Sequence, residues 1–96
     1  MRPSTILDTK RKAIREAVRR FRTANPRVFG SVLHGTDQEG SDLDLLVDAL
    51  PGATLLDLGG LQDELETLLG VPVDVRTPMD LPPRFRAQVL AQAQPV

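Results

Sequence analysis

Gly30-Ser31-Val32-Leu33-His34-Gly35-Thr36-Asp37-Gln38-Glu39-Gly40-Ser41-Asp42-Leu43-Asp44-Leu45-Leu46-Val47-Asp48 is the stretch on which the reading of this chain turns. It opens with a small-residue pair, Gly30-Ser31. A loop follows over residues 35–41, with two glycines and five polar residues. Two acids then enter an apolar run at Asp42 and Asp44. Glycine lets a backbone approach a phosphate closely, and the N–H groups of such a turn attract anions. The serine hydroxyl adds a donor. The acids offer oxygen ligands. A metal-bound nucleoside triphosphate needs both parts.

The flanking sequence places these residues on elements. Asp42 to Val47 predicts a strand, with the acids on one face and Leu43, Leu45 and Val47 on the other. Upstream, Arg27-Val28-Phe29 predicts a short strand that runs into Gly30-Ser31. A helix is expected from about Thr5 to Ala24, because Ile14, Ala17, Val18 and Phe21 form one apolar stripe. Asn25-Pro26 stops it. Downstream, Leu50-Pro51-Gly52 predicts a turn. Leu58, Leu61, Leu65, Leu68 and Leu69 then predict a second helix within Leu55–Leu69, whose regular part starts near Leu61 because Gly59-Gly60 weakens its beginning. Gly70 suits its cap. Val71 to Val75 predicts an edge strand, since Pro72 cannot donate to a central ladder. Leu81-Pro82-Pro83 breaks the chain before a last helix, Pro83 to Gln92, with Phe85 and Val89 on one face.

The order helix, strand, strand, helix, strand, helix defines an α/β class: a small mixed sheet of about three strands covered by helices, in one domain spanning residues 1–96. Acids at i and i+2 on one strand face have Cα atoms about 7 Å apart, and a neighbouring strand lies about 4.8 Å away. Asp74 on the third strand is therefore a third carboxylate for the same face. Crowded carboxylates repel unless a cation neutralises them or one takes a proton. Oxygen-only donors select magnesium, manganese or calcium, and magnesium is usually held by one or two carboxylates plus substrate phosphates.

Composition narrows the alternatives. There is no cysteine and a single histidine, His34, which excludes thiolate chemistry and argues against a zinc site. No apolar run approaches the roughly 20 residues of a bilayer span. The N-terminal residues do not follow a signal-peptide layout, so a cytoplasmic location is expected. Lys10 to Arg22 carries seven basic residues and one acid, whereas Asp37 to Asp80 carries eleven acids and one base, Arg76. The basic helix reads as a solvated face. With three phenylalanines and no other aromatic residue, stacking on bases is poorly supported and direct nucleic-acid binding is not expected. Asp37 and Glu39 read as solvated loop charges, and Asp57, Asp63, Glu64 and Glu66 as a polar helix face. Asp48 reads as a strand end. Arg76 reads either as a phosphate contact or as a salt-bridge partner of a nearby acid.

Gly30 to Val47 resembles the signature of the minimal nucleotidyltransferases of the DNA polymerase β superfamily: Gly-Ser-x-x-x-Gly, a loop, then Ser-Asp-x-Asp and apolar residues. Asn25 to Phe29, Val73-Asp74-Val75 and Pro82-Pro83-Arg84-Phe85-Arg86 are similar to the antitoxins of that family that pair with HEPN-domain toxins. The resemblance implies a palm-type α/β core. It carries over Asp42, Asp44 and Asp74 as catalytic, magnesium-binding acids and Gly30 and Ser31 as the nucleotide-binding turn. It also implies a function: an antitoxin that transfers AMP from ATP with Mg2+ to a hydroxyl, typically of tyrosine, on the partner toxin. A domain this small has no room for an acceptor-binding unit, so the acceptor surface is expected on that partner. The alternative is a catalytically idle antitoxin that masks its toxin by contact. One position departs from the pattern, since His34 stands where the family often has arginine. A neutral imidazole brings no fixed charge to a triphosphate, so His34 is expected to be a loop or packing residue. A side chain at Gly30 is expected to weaken ATP binding more than stability.

Overall fold

Four strands build the sheet in the computed structural model, which describes all residues from 1 to 96. They are β1 (Thr23–Phe29), β2 (Leu43–Ala49), β3 (Val73–Arg76) and the two-residue β4 (Gln94–Pro95), in the order β3-β2-β1-β4. β1 runs antiparallel to β2 and β4, while β2 and β3 are parallel. The sheet is mixed, as expected, with β3 at an edge. The fourth strand lies in a tail with no strand pattern of its own, and it is fixed by pairing with β1 and by the Val96 N–H donating to the Pro26 carbonyl at 3.0 Å.

Helices α1 (Pro3–Arg20) and α3 (Leu55–Leu69) cover one face. The alternation along β2 turns Leu43, Leu45 and Val47 into a core shared with Ile14 and Val18 of α1 and Leu61 and Leu65 of α3. All seven are essentially inaccessible to water. The short helix α2 (Gly30–His34) leads out of β1, and α4 (Pro83–Gln92) follows a 3-10 turn at Pro78–Asp80. α4 buries none of its residues. Arg86 ties it down by donating to the carbonyls of Pro78 at 2.8 Å and Leu81 at 3.0 Å.

Several boundaries differ from the sequence reading. α1 starts at Pro3 and ends at Arg20, because proline suits a first turn and the residues after it join the sheet. Asn25-Pro26 lies inside β1. The register moves from Ala24↔Asp48 to Arg27↔Leu46, so β1 carries one extra residue there, a bulge, which tolerates a proline. Gly30-Ser31 opens a one-turn helix rather than a simple turn. β2 begins at Leu43, leaving Asp42 just ahead of it. β3 begins at Val73, not Val71. α3 is regular from Leu55, since Thr54 and Asp57 form a capping box that offsets its glycines.

Two acids read as solvated have structural partners. Asp37 is 2% exposed and accepts from the Ser4 N–H at 2.9 Å. It thereby caps α1, whose own N-cap residue, Arg2, makes no side-chain cap. Glu66 and Gln62 of α3 accept from the N–H groups of Val73 at 3.0 Å and Val75 at 3.2 Å. These bonds hold the edge strand on either side of Asp74.

Candidate active site

The face of the sheet opposite α1 and α3 gathers the acids. Register aligns Phe29 with Asp44 and Asp44 with Asp74 across three strands. Directly paired residues project to the same face, so the two carboxylates stand side by side on the face opposite the α1/α3 core. The next row joins Arg27, Leu46 and Arg76. Arg27 pairs with Asp48 at 2.8 Å. Asp48, expected at the strand end, is the penultimate residue of β2 and is held there by this pair.

Asp44 is half-buried. Burial, then the charges of Asp74 and Asp42, push its carboxyl up to about 6, against a smaller opposing pull from Arg76. The charges of the other two expected acids are therefore felt at Asp44. Their placement differs in detail: Asp42 is exposed ahead of β2, and Arg76 Nε donates to both oxygens of Asp74 at 3.1 Å. Of the two readings of Arg76, the salt bridge is the one present. The acids do not close into a cluster able to hold an ion by themselves. Magnesium does not require such a cage, because phosphate oxygens and water complete its shell.

Gly30 meets these acids directly. Its φ is +74°, and a Cβ built there would collide with the Asp44 carboxylate and lie 3.2 Å from Asp44 Cγ. Only glycine lets the β1–α2 junction lie against Asp44. The turn and the acids, separate in sequence, are thus one surface. A substituent at Gly30 strikes a catalytic candidate as well as any phosphate, so stability and binding should fall together. The clash with Asp44 adds a stability cost to the expected loss of binding. Ser31 follows in α2 and is partly exposed.

Sequence reasoning passed over the clefts beside this face. One, of about 290 Å3, has Phe29, Gly30 and Leu33 on one wall and Phe85 and Val89 of α4 on the other. A second, of about 320 Å3, lies against Asp74 and Arg76 and shares Phe29, Phe85 and Val89. The exposed apolar stripe of α4 was visible in sequence, but Phe29 gains its place only from the pairing with Asp44. His34 lines the first cleft from the end of α2.

A mixed sheet that sets a glycine turn against aligned acids is the frame of a nucleotidyl-transferring domain, and the comparisons agree. Residues 10–96 match the family described as nucleotidyltransferase domain, and the chain belongs to that family. Protein adenylyltransferase MntA of Thermococcus cleftensis is 41% identical over 71 residues, covering 74% of this chain and 69% of that protein. A relative from Methanocaldococcus jannaschii, provisionally named a protein adenylyltransferase, is 41% identical over 66 residues, 69% of this chain and 71% of the relative. A solved structure provisionally assigned as a minimal nucleotidyltransferase superposes with a TM-score of 0.86 at 45% identity, covering 97% of this chain and 95% of the other. A toxin–antitoxin crystal structure with AMP-PNP shares the fold, with a TM-score of 0.73 at 24% identity over 90% of this chain and 70% of that one. The expected minimal nucleotidyltransferase family and palm-type α/β class are borne out.

Proposed function

We propose that this chain is the antitoxin of a toxin–antitoxin pair and that it transfers AMP from ATP, with Mg2+, to a tyrosine hydroxyl of a HEPN-domain toxin in the cytoplasm. The observation that carries the reading is the contact of Gly30 with Asp44, which joins a close-approach turn to the acids in one place. The names of the relatives support protein as the acceptor class.

The donor set fits magnesium. It offers carboxylate oxygens only, and one of them is held half-buried among like charges that a cation would neutralise. Asp42 and Asp44 would hold the ion with the triphosphate, and Asp74 would complete the site. When bound, the ion neutralises charge on the phosphates and the departing pyrophosphate. The rest falls to the chain. Gly30 and Ser31 seat the triphosphate. The acceptor oxygen attacks the α-phosphorus in line, and the bond from that phosphorus to the bridging oxygen of pyrophosphate breaks. The hydroxyl proton passes toward Asp74, which must first leave Arg76. Positioning and charge neutralisation supply most of the rate in such transfers.

The test is mass spectrometry of a HEPN-domain partner incubated with this protein, ATP and magnesium. A gain of one or more AMP units, lost on chelation of the metal, is expected. A partner fully inhibited yet unmodified would overturn the enzyme reading in favour of masking by contact.

A further inference from the structure

We propose that the cleft between α2 and α4 is the nucleobase subsite, with Gln88 and Gln92 reading the edge of an adenine. The inference rests on the nucleotidyltransferase reading above and adds to it the residues that choose the base. Gly30 and His34 belong to this cleft, so its wall is continuous with the turn assigned to the phosphates. Phe29, Leu33, Phe85 and Val89 give it apolar walls, which match the faces of a heteroaromatic ring. At about 290 Å3 it is of a size to take a purine.

The amides at this cleft are uncharged where the neighbouring cleft carries an acid and a guanidinium. Gln88 and Gln92 lie four residues apart on α4, hence on one helix face, and both line the cleft. A glutamine amide presents a donor beside an acceptor. That pair matches the N6 donor and N7 acceptor of adenine and mismatches the two acceptors, O6 and N7, of guanine. The other cleft carries Asp74 and Arg76, on the side of the acid assigned to the acceptor hydroxyl. A neutral base belongs with the amides, leaving the charged cleft for the acceptor.

Calorimetric titration of the full chain with magnesium tests this, using non-hydrolysable ATP and GTP analogues and inorganic tripolyphosphate. The ATP analogue is expected to bind at least roughly tenfold more tightly than the GTP analogue. The Gln88→Leu, Gln92→Leu double variant should lose that preference while its tripolyphosphate affinity stays unchanged. Gln88→Met provides a second, neutral substitution and should weaken the ATP analogue and its preference over the GTP analogue without affecting tripolyphosphate. Adenine preference retained in either folded variant would overturn the subsite alone. Wild-type protein that binds neither the ATP analogue nor tripolyphosphate would overturn the nucleotidyltransferase reading, and the subsite with it.

Discussion

Asp44→Asn removes a charge and almost no volume, so it separates chemistry from folding. The Asp44 carboxyl is raised from 3.8 to about 6 in the folded protein. The folded chain therefore binds that proton more tightly than the unfolded chain, and ionisation lowers stability as pH rises from about 4 to about 6. At pH 8 Asp44→Asn should melt no lower than wild type, while adenylyl transfer falls by about a hundredfold or more. Thermal melts paired with a transfer assay check both. Gly30→Ala should do the opposite to stability. Its φ of +74° costs an alanine about 1–2 kcal/mol, and its methyl group displaces the Asp44 carboxylate. Denaturant unfolding and transfer should both worsen, and a variant with normal stability would contradict the packing of Gly30 on Asp44. The site acids and the glycine were legible in sequence because their spacing is local. Their contact was not, since it depends on how β1 registers on β2.

Between elements, two contacts set the frame. Asp37 anchors the loop before Asp42 to the start of α1. The Ser4 N–H holds its carboxyl below the ordinary range against the opposing effect of burial, with help from the Ser4 hydroxyl and the charge of Arg2. A carboxyl lowered by folding adds stability above its unfolded value, and that stability disappears as pH falls through the folded value. Asp37→Asn should therefore lower the melting temperature at pH 7, with the difference from wild type shrinking below about pH 4. Melting curves across pH read this directly. On the other side of the core, a Cβ at Gly60 would lie 2.8 Å from the Phe21 ring. Gly60→Ala gains about 1 kcal/mol of helix propensity but forces the ring aside at about 1–3 kcal/mol, so the net is destabilising. In a Phe21→Ala background the same change should stabilise by about 1 kcal/mol, and a double-mutant cycle in denaturant resolves the sign. Gly59-Gly60 misled the reading of α3 for this reason. Gly60 marks a close approach to Phe21 at the end of α1, which propensity cannot see, while Gly59 has open space beside it, and the Thr54/Asp57 box holds the helix start. Asp37 misled it too, because a loop acid looks solvated until the helix it caps is in place.

Across the whole molecule, α1 and α3 spend their apolar stripes on the core, whereas α4 leaves Phe85 47% and Leu90 40% exposed, with Phe85 beside the face that carries the candidate acids. No helix is long and apolar enough to cross a membrane. The order of α1, β1, β2, α3, β3 and α4 along the chain and the edge position of β3 followed from period and punctuation, whereas the two residues of β4 carry no pattern of their own. The clefts between α4 and the sheet arise from tertiary packing and had no sequence signal beyond the Phe85/Val89 stripe. The acids, the glycine turn and these clefts lie together on one face, which is where the proposed in-line transfer requires the acceptor hydroxyl. The mass of the partner toxin after incubation with ATP, magnesium and either wild-type protein or the Asp42→Asn, Asp44→Asn double variant tests that arrangement most directly. Wild type is expected to add AMP to the toxin, and the double variant to bind the toxin and leave its mass unchanged. AMP transfer by the double variant at the wild-type rate would contradict it.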